Sequence, residues 1–219
     1  PSAQNVPLHR EKGELKLTGG KSLTEETEGY NLRSSYSFTD HFAAIASYNF
    51  FEDDADSPIG SGSTWRAGLG YYTPINNTTW VFETYGGLGG GEGYLNRPST
   101  GYVDYQASEI FMQQAFGYSG DITFIGLSVK TSRLNYHDVR YTPTESTYPL
   151  DARPVHFFLE HALTIRLGYK YGYLETQFIK SFNISETGLP MDDVAVSLGF
   201  HLNLGPVISQ LKKNKASQP

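Results

Sequence analysis

The chain has 219 residues, a formal net charge of −6 and 38% hydrophobic residues, enough for one all-β domain but poor in the aliphatic material of a large dry core. It has no cysteine, which excludes disulfides, thiolate metal sites and a cysteine nucleophile. The acidic balance argues against a nucleic-acid partner, and 16 Tyr, 13 Phe and 23 Gly exclude a disordered chain.

No stretch approaches the ~18 apolar residues of a membrane helix. The dominant signal is instead alternation with period 2 between turn residues. In chain order, strands are predicted near 13–22, 29–39, 42–51, 64–73, 79–95, 107–119, 121–137, 155–170, 172–185 and 194–204. In the second, Tyr30, Leu32, Tyr36 and Phe38 oppose Asn31, Arg33, Ser35 and Ser37. In the fourth, Trp65, Ala67, Leu69 and Tyr71 oppose Arg66, Gly68 and Gly70. The fifth contains the run Gly86 to Gly91. Without a following lysine and helix, this reads as a bend in a curved strand and not as a phosphate loop. The eighth sets Val155, Phe157, Leu159, Leu163, Ile165, Leu167 and Tyr169 against Glu160, Ala162, Thr164 and Arg166. The last alternates Val194, Val196, Leu198, Phe200, Leu202 and Leu204 with small or polar residues that include His201.

The connections read as alternately long and short. Short ones fall at 39–41, 74–78, 120–121 and 170–172, and long ones near 23–28, 52–63, 96–106, 138–154 and 186–193. This is the pattern of a single up-and-down antiparallel barrel of about ten strands, with short periplasmic turns and longer extracellular loops. Aromatics gather near both sets of strand ends. Tyr36, Phe38, Phe42, Tyr71, Tyr72, Trp80, Phe116, Tyr118, Phe124, Tyr169, Tyr171 and Tyr173 lie near the short turns, and Tyr30, Phe50, Phe51, Trp65, Tyr94, Phe111 and Phe157 near the long loops. Two interfacial girdles account for this, with a soluble barrel such as a lipocalin as the alternative. The division expected is an extended leader over 1–12, a bacterial outer-membrane barrel over 13–205 and a basic tail over 206–219 carrying Lys212, Lys213 and Lys215.

The leader, with Asn5-Val6-Pro7-Leu8 followed by Glu11-Lys12-Gly13-Glu14, resembles the mature amino terminus of envelope lipoproteins of the Bacteroidota. The strand pattern resembles the outer-membrane β-barrel superfamily. The first resemblance implies an acylated cysteine just ahead of Pro1, which reads as the start of a processed chain. The second implies lipid as solvent and a barrel ending in an aromatic residue. The chain departs from that ending by continuing through Gly205-Pro206.

With the apolar stripes facing lipid, Arg33, Arg66, Glu83, Gln113, Lys130, Glu160, Arg166, Glu175 and His201 line the lumen. Their mixed signs predict a charge network that fills it, with Glu160 and Glu175 paired to cations such as Arg33, Arg66 or Arg166. A small polar pore is the alternative. No catalytic, cofactor or metal residues are assigned. His137-Asp138 and Asp192-Asp193 lie where an omptin-like hydrolase keeps its Asp/His pairs, but neighbours on a strand point to opposite faces. Glu52, Asp53, Asp54 and Asp56 match no EF-hand spacing and read as solvated charge. His161 breaks the eighth apolar stripe, and Lys180 falls on the apolar face of the ninth. A bulge, headgroup contact or a covering protein partner would explain His161. The function expected is a non-enzymatic structural or accessory subunit of an outer-membrane assembly, in contact with lipid and other outer-membrane proteins. The alternatives are a small channel or amphiphile-binding barrel and, behind those, an omptin-like hydrolase.

Overall fold

The computed structural model describes residues 2–25, 27–53, 60–97, 101–142, 155–169, 171–185 and 193–205. Ten strands form one closed antiparallel barrel in which each pairs with its chain neighbours and β1 closes on β10. They are β1 (Leu15–Leu23), β2 (Thr27–Ser37), β3 (Phe42–Asp53), β4 (Gly60–Pro74), β5 (Trp80–Arg97), β6 (Gly101–Ser119), β7 (Thr123–Thr142), β8 (Val155–Tyr169), β9 (Gly172–Asn183) and β10 (Val194–Asn203). A single 3-10 turn, Ile75–Asn77, joins β4 to β5.

Period 2 sets the sides. Leu32 is 60% exposed while its neighbour Arg33 is 1% exposed. Leu69, Leu88, Ile110, Leu127, Leu167, Leu174, Leu198 and Phe200 point outward, whereas His201 and the charged residues point in. A soluble barrel has the opposite arrangement, since its apolar residues must hide from water. The exposed aliphatic belt can only be solvated by lipid, so this is a transmembrane barrel of the outer membrane.

Two expectations are corrected. Residues 101–106 and 138–142, read as loop, extend β6 and β7. Only 98–100 separate β5 from β6 and 24–26 separate β1 from β2, so the strict long–short alternation does not hold. Beyond the lipid, a hairpin ladder needs paired backbone and no apolar alternation, so the sequence pattern ends before the strands do. The girdle assignment also loses members. Tyr72, Phe111, Phe124 and Tyr173 are buried inside the barrel, while Tyr36, Phe42, Trp80, Phe116 and Tyr169 remain on the outer surface near the short turns. Nearness to a strand end does not fix the side of the pleat. The proposed tail at 206–219, the Asp54 and Asp56 acids, and Asp192 lie outside the described residues.

Candidate functional site

The interior is occupied by the chain's own amino-terminal segment. From Glu14 at the short-turn end, residues 13 to 2 run back into the lumen, and Ala3, Gln4, Val6, Pro7, Leu8 and His9 are buried there. Gly13 makes the reversal at φ +86°, a conformation open to glycine. Its N–H donates to the Ser37 carbonyl, and the Ser37 hydroxyl donates to the Glu11 carbonyl.

The lumen wall meets this segment mainly at its backbone. The Gln4 carbonyl accepts from Arg33 Nη1 (2.8 Å) and Gln177 Nε2 (3.1 Å). The Asn5 carbonyl accepts from Gln113 Nε2 (2.6 Å), and the Val6 carbonyl from Arg166 Nη2 (2.8 Å). Lys16 Nζ donates to the Pro7 and Leu8 carbonyls, both at 3.0 Å. The Leu8 and His9 N–H groups donate to the two oxygens of Glu83 at 2.9 and 2.5 Å. Leu8 lies in the left-handed region at φ +45°, a strain of about 1–3 kcal/mol that persists only where surroundings impose it. Glu83 and Lys16, which hold its N–H and carbonyl, impose it here.

Side chains add shape. Val6 and Leu8 pack with Val81, Ala115 and Phe124, and Ala3 packs with Ala162, Ile179 and Ala195. The inward glycines Gly117 and Gly126 make room: a Cβ on Gly117 would come 2.6 Å from Leu8 Cδ1, and one on Gly126 would come 3.2 Å from Val6 Cγ1.

The charged residues predicted for the lumen all face inward, and six of them form two clusters. Glu175 bridges Arg33 (2.6 Å) and Arg166 (2.5 Å). Lys130 pairs with Glu160 and lies 3.8 Å from Glu109, which binds Arg66 at 2.6 Å. Glu160 therefore takes a lysine partner and not one of the expected arginines. Glu83 is bound to backbone, and His201 Nδ1 shares a 2.7 Å hydrogen bond with the Thr18 hydroxyl. The sequence reading missed Glu14, Lys16, Glu109 and Gln177. Lys16 and Gln177 do sit at inward positions of alternating strands, so strand phase alone places them there.

Near the floor, Glu14 lies 3.1 Å from both Lys16 Nζ and His9 Nδ1. Burial pushes the His9 imidazole down to about 4. Burial also opposes the Glu14 carboxylate, but Lys16 above all, with His9 and the Arg10 N–H, holds it down at about 2. Above Ser2, whose hydroxyl accepts from Arg66 Nη1 at 2.8 Å, a cavity of about 290 Å³ opens toward the other end of the barrel. Glu109, Glu160, Tyr105, Tyr136, Phe51 and Phe158 are among its lining residues.

On the outer wall, β8 keeps its register through His161, so no bulge turns that ring inward. The ring packs edge-on against Phe182, 5.8 Å between centroids, across from Lys180. Lys180 pairs with the exposed Asp193 at 3.4 Å. His137 and Asp138 form no catalytic pair: His137 Nδ1 lies 3.3 Å from the Asn135 carbonyl, and Asp138 has φ +51° beside a register shift in the β6–β7 ladder. Among the described residues, no three His, Asp or Glu side chains converge on a metal position.

No family model matches the chain, and no curated protein matches it. Among solved structures it is similar to an outer-membrane channel from Pseudomonas putida F1 (11% identity, 91% of this chain and 100% of the other, TM-score 0.47). It is also similar to the β domain of the Bordetella autotransporter BrkA (10% identity, 87% and 98%, TM-score 0.45) and to the KdgM porin (11% identity, 85% and 98%, TM-score 0.40).

Proposed function

We propose that this chain is a small outer-membrane channel whose lumen is closed by its own amino-terminal segment. The supporting observation is the way the interior is filled. The wall charges do not seal the barrel by pairing with one another alone. Residues 2–9 lie along the axis, held by hydrogen bonds that another polar group can replace, and a cavity continues from Ser2 toward the far end. A separable segment on a polar, charge-lined track suits a gate better than a permanent core. Planar-bilayer recording tests this. The full chain should conduct rarely, and a chain lacking residues 2–12 should conduct steadily. A silent deletion chain that is still folded overturns the channel reading.

The accessory-subunit reading stands second, favoured by the outward polar residues His161 and Lys180 on otherwise apolar faces. The Bacteroidota lipoprotein reading is a separate proposal. The intact mass of the protein from native membranes tests it.

A further inference from the structure

Five consecutive carbonyls, Gln4 through Leu8, each accept from a lumen side chain, and the Gln4, Leu8 and His9 N–H groups donate to lumen side chains. The groups that make these contacts come from β1, β2, β5, β6, β8 and β9, so they surround the segment. Contacts that read side-chain identity are fewer. Gln4 is bound by Ser128 and the Glu160 carbonyl, and Asn5 donates to the Ser34 and Ala46 carbonyls. The Ser2 hydroxyl accepts from Arg66 and the His9 ring contacts Glu14, and the track takes small or branched apolar groups at positions 3, 6 and 8. Any peptide that takes the left-handed turn at position 8 presents the same backbone groups.

Charge narrows the ligand class. In the track, Lys16, Arg33, Arg66, Lys130 and Arg166 face Glu14, Glu83, Glu109, Glu160 and Glu175. The two signs nearly balance before anything binds, so a strongly charged solute would leave unpaired charge in a narrow interior. A neutral chain of alternating donors and acceptors would not. The cavity above Ser2 continues the path with aromatic walls.

We propose that the lumen is a binding track for extended peptides, with residues 2–12 as its resident occupant, and that peptides are the class of solute the channel admits. The second half rests on the channel reading and the first does not.

The test uses the full chain with a protease site inserted between Lys12 and Gly13, folded in detergent and then cut. The exposed Arg10–Lys12 turn offers trypsin the same cut in the unaltered chain should the insertion prevent folding. Fluorescein-labelled peptide of residues 2–12 should exchange into the barrel at one site. An unrelated peptide of equal length, with apolar residues at positions 3, 6 and 8, should compete within about tenfold, because backbone contacts dominate. The same peptide with ester oxygens replacing the N–H groups at positions 8 and 9 should bind at least about tenfold more weakly, having lost both donors to Glu83. A neutral oligosaccharide of similar length should not compete. If only the native sequence binds, or the ester analogue binds equally well, the peptide track is overturned. Conductance on cutting with no exchange of foreign peptide leaves the channel standing without this cargo, and exchange without conductance leaves the track standing without the channel.

Discussion

Gln177 treats Gln4 as a neighbouring strand would. Its side-chain oxygen accepts the Gln4 N–H at 2.7 Å while its amide nitrogen donates to the Gln4 carbonyl at 3.1 Å. That two-way exchange joins antiparallel strands, and here a side chain reproduces it in mid-barrel. The docked segment is thus held by the same chemistry as the wall, without belonging to the ladder.

Glu83→Ala should loosen the segment where it is most strained. The substitution strands the Leu8 and His9 N–H groups in the interior, a penalty of about 1–3 kcal/mol each, and removes one of the two holds on Leu8. Hydrogen exchange should speed up at least about tenfold across residues 4–9. Exchange in the β strands should be unchanged. Equal protection in the variant would show that Glu83 does not hold the segment.

Gly126→Leu should displace the segment by bulk. Its Cβ alone would stand 3.2 Å from both Val6 Cγ1 and Phe124 Cε1, and the longer side chain takes the space of Val6. The barrel should keep its heat-modified gel mobility while bilayer conductance rises. An unchanged exchange profile over residues 2–12 would contradict this placement.

Acid should weaken the part of the hold that depends on His9. His9, held at about 4 against an ordinary 6.5, resists protonation only while docked, so its contribution is full above pH 6.5 and is lost as pH falls toward 4. Glu14, held at about 2 against 4.5, contributes above pH 4.5 and loses that contribution between 4.5 and 2. The groups facing them are Lys16, Arg166, Glu83 and the Tyr72 ring. Exchange of residues 4–9, followed from pH 7 to 4, should accelerate from about pH 6 downward. His9→Gln should flatten that part of the profile.

On the outer wall, the partner-facing expectation for His161 and Lys180 predicts that His161→Leu leaves folding and gel mobility unchanged while proteins co-purifying from native membranes in mild detergent are lost. Retention of every partner would assign the ring to lipid, with Lys180 and Asp193 reaching the headgroup zone beside it.

The barrel wall was legible because lipid outside and charge inside impose period 2 on every strand that crosses the membrane. Leu32 and Arg33, or Phe200 and His201, declare their sides without any partner being known. Strand phase likewise placed Arg33, Glu160, Arg166 and Glu175 on one interior surface. It did not decide that Glu160 meets Lys130, because pairing depends on register across strands and on the barrel's closure. The amino-terminal segment was not legible at all. An extended chain stabilised by side chains from six separate strands has no periodicity of its own, so residues 2–12 read as a leader in front of the barrel. Inward Gln113, Gln177, Gly117 and Gly126 were the available signals: amides with no charge to pair, and glycines where a packed lumen wants bulk. Only closure of the ten strands brought them around one axis, where their donors, acceptors and missing side chains outline the peptide that fills it.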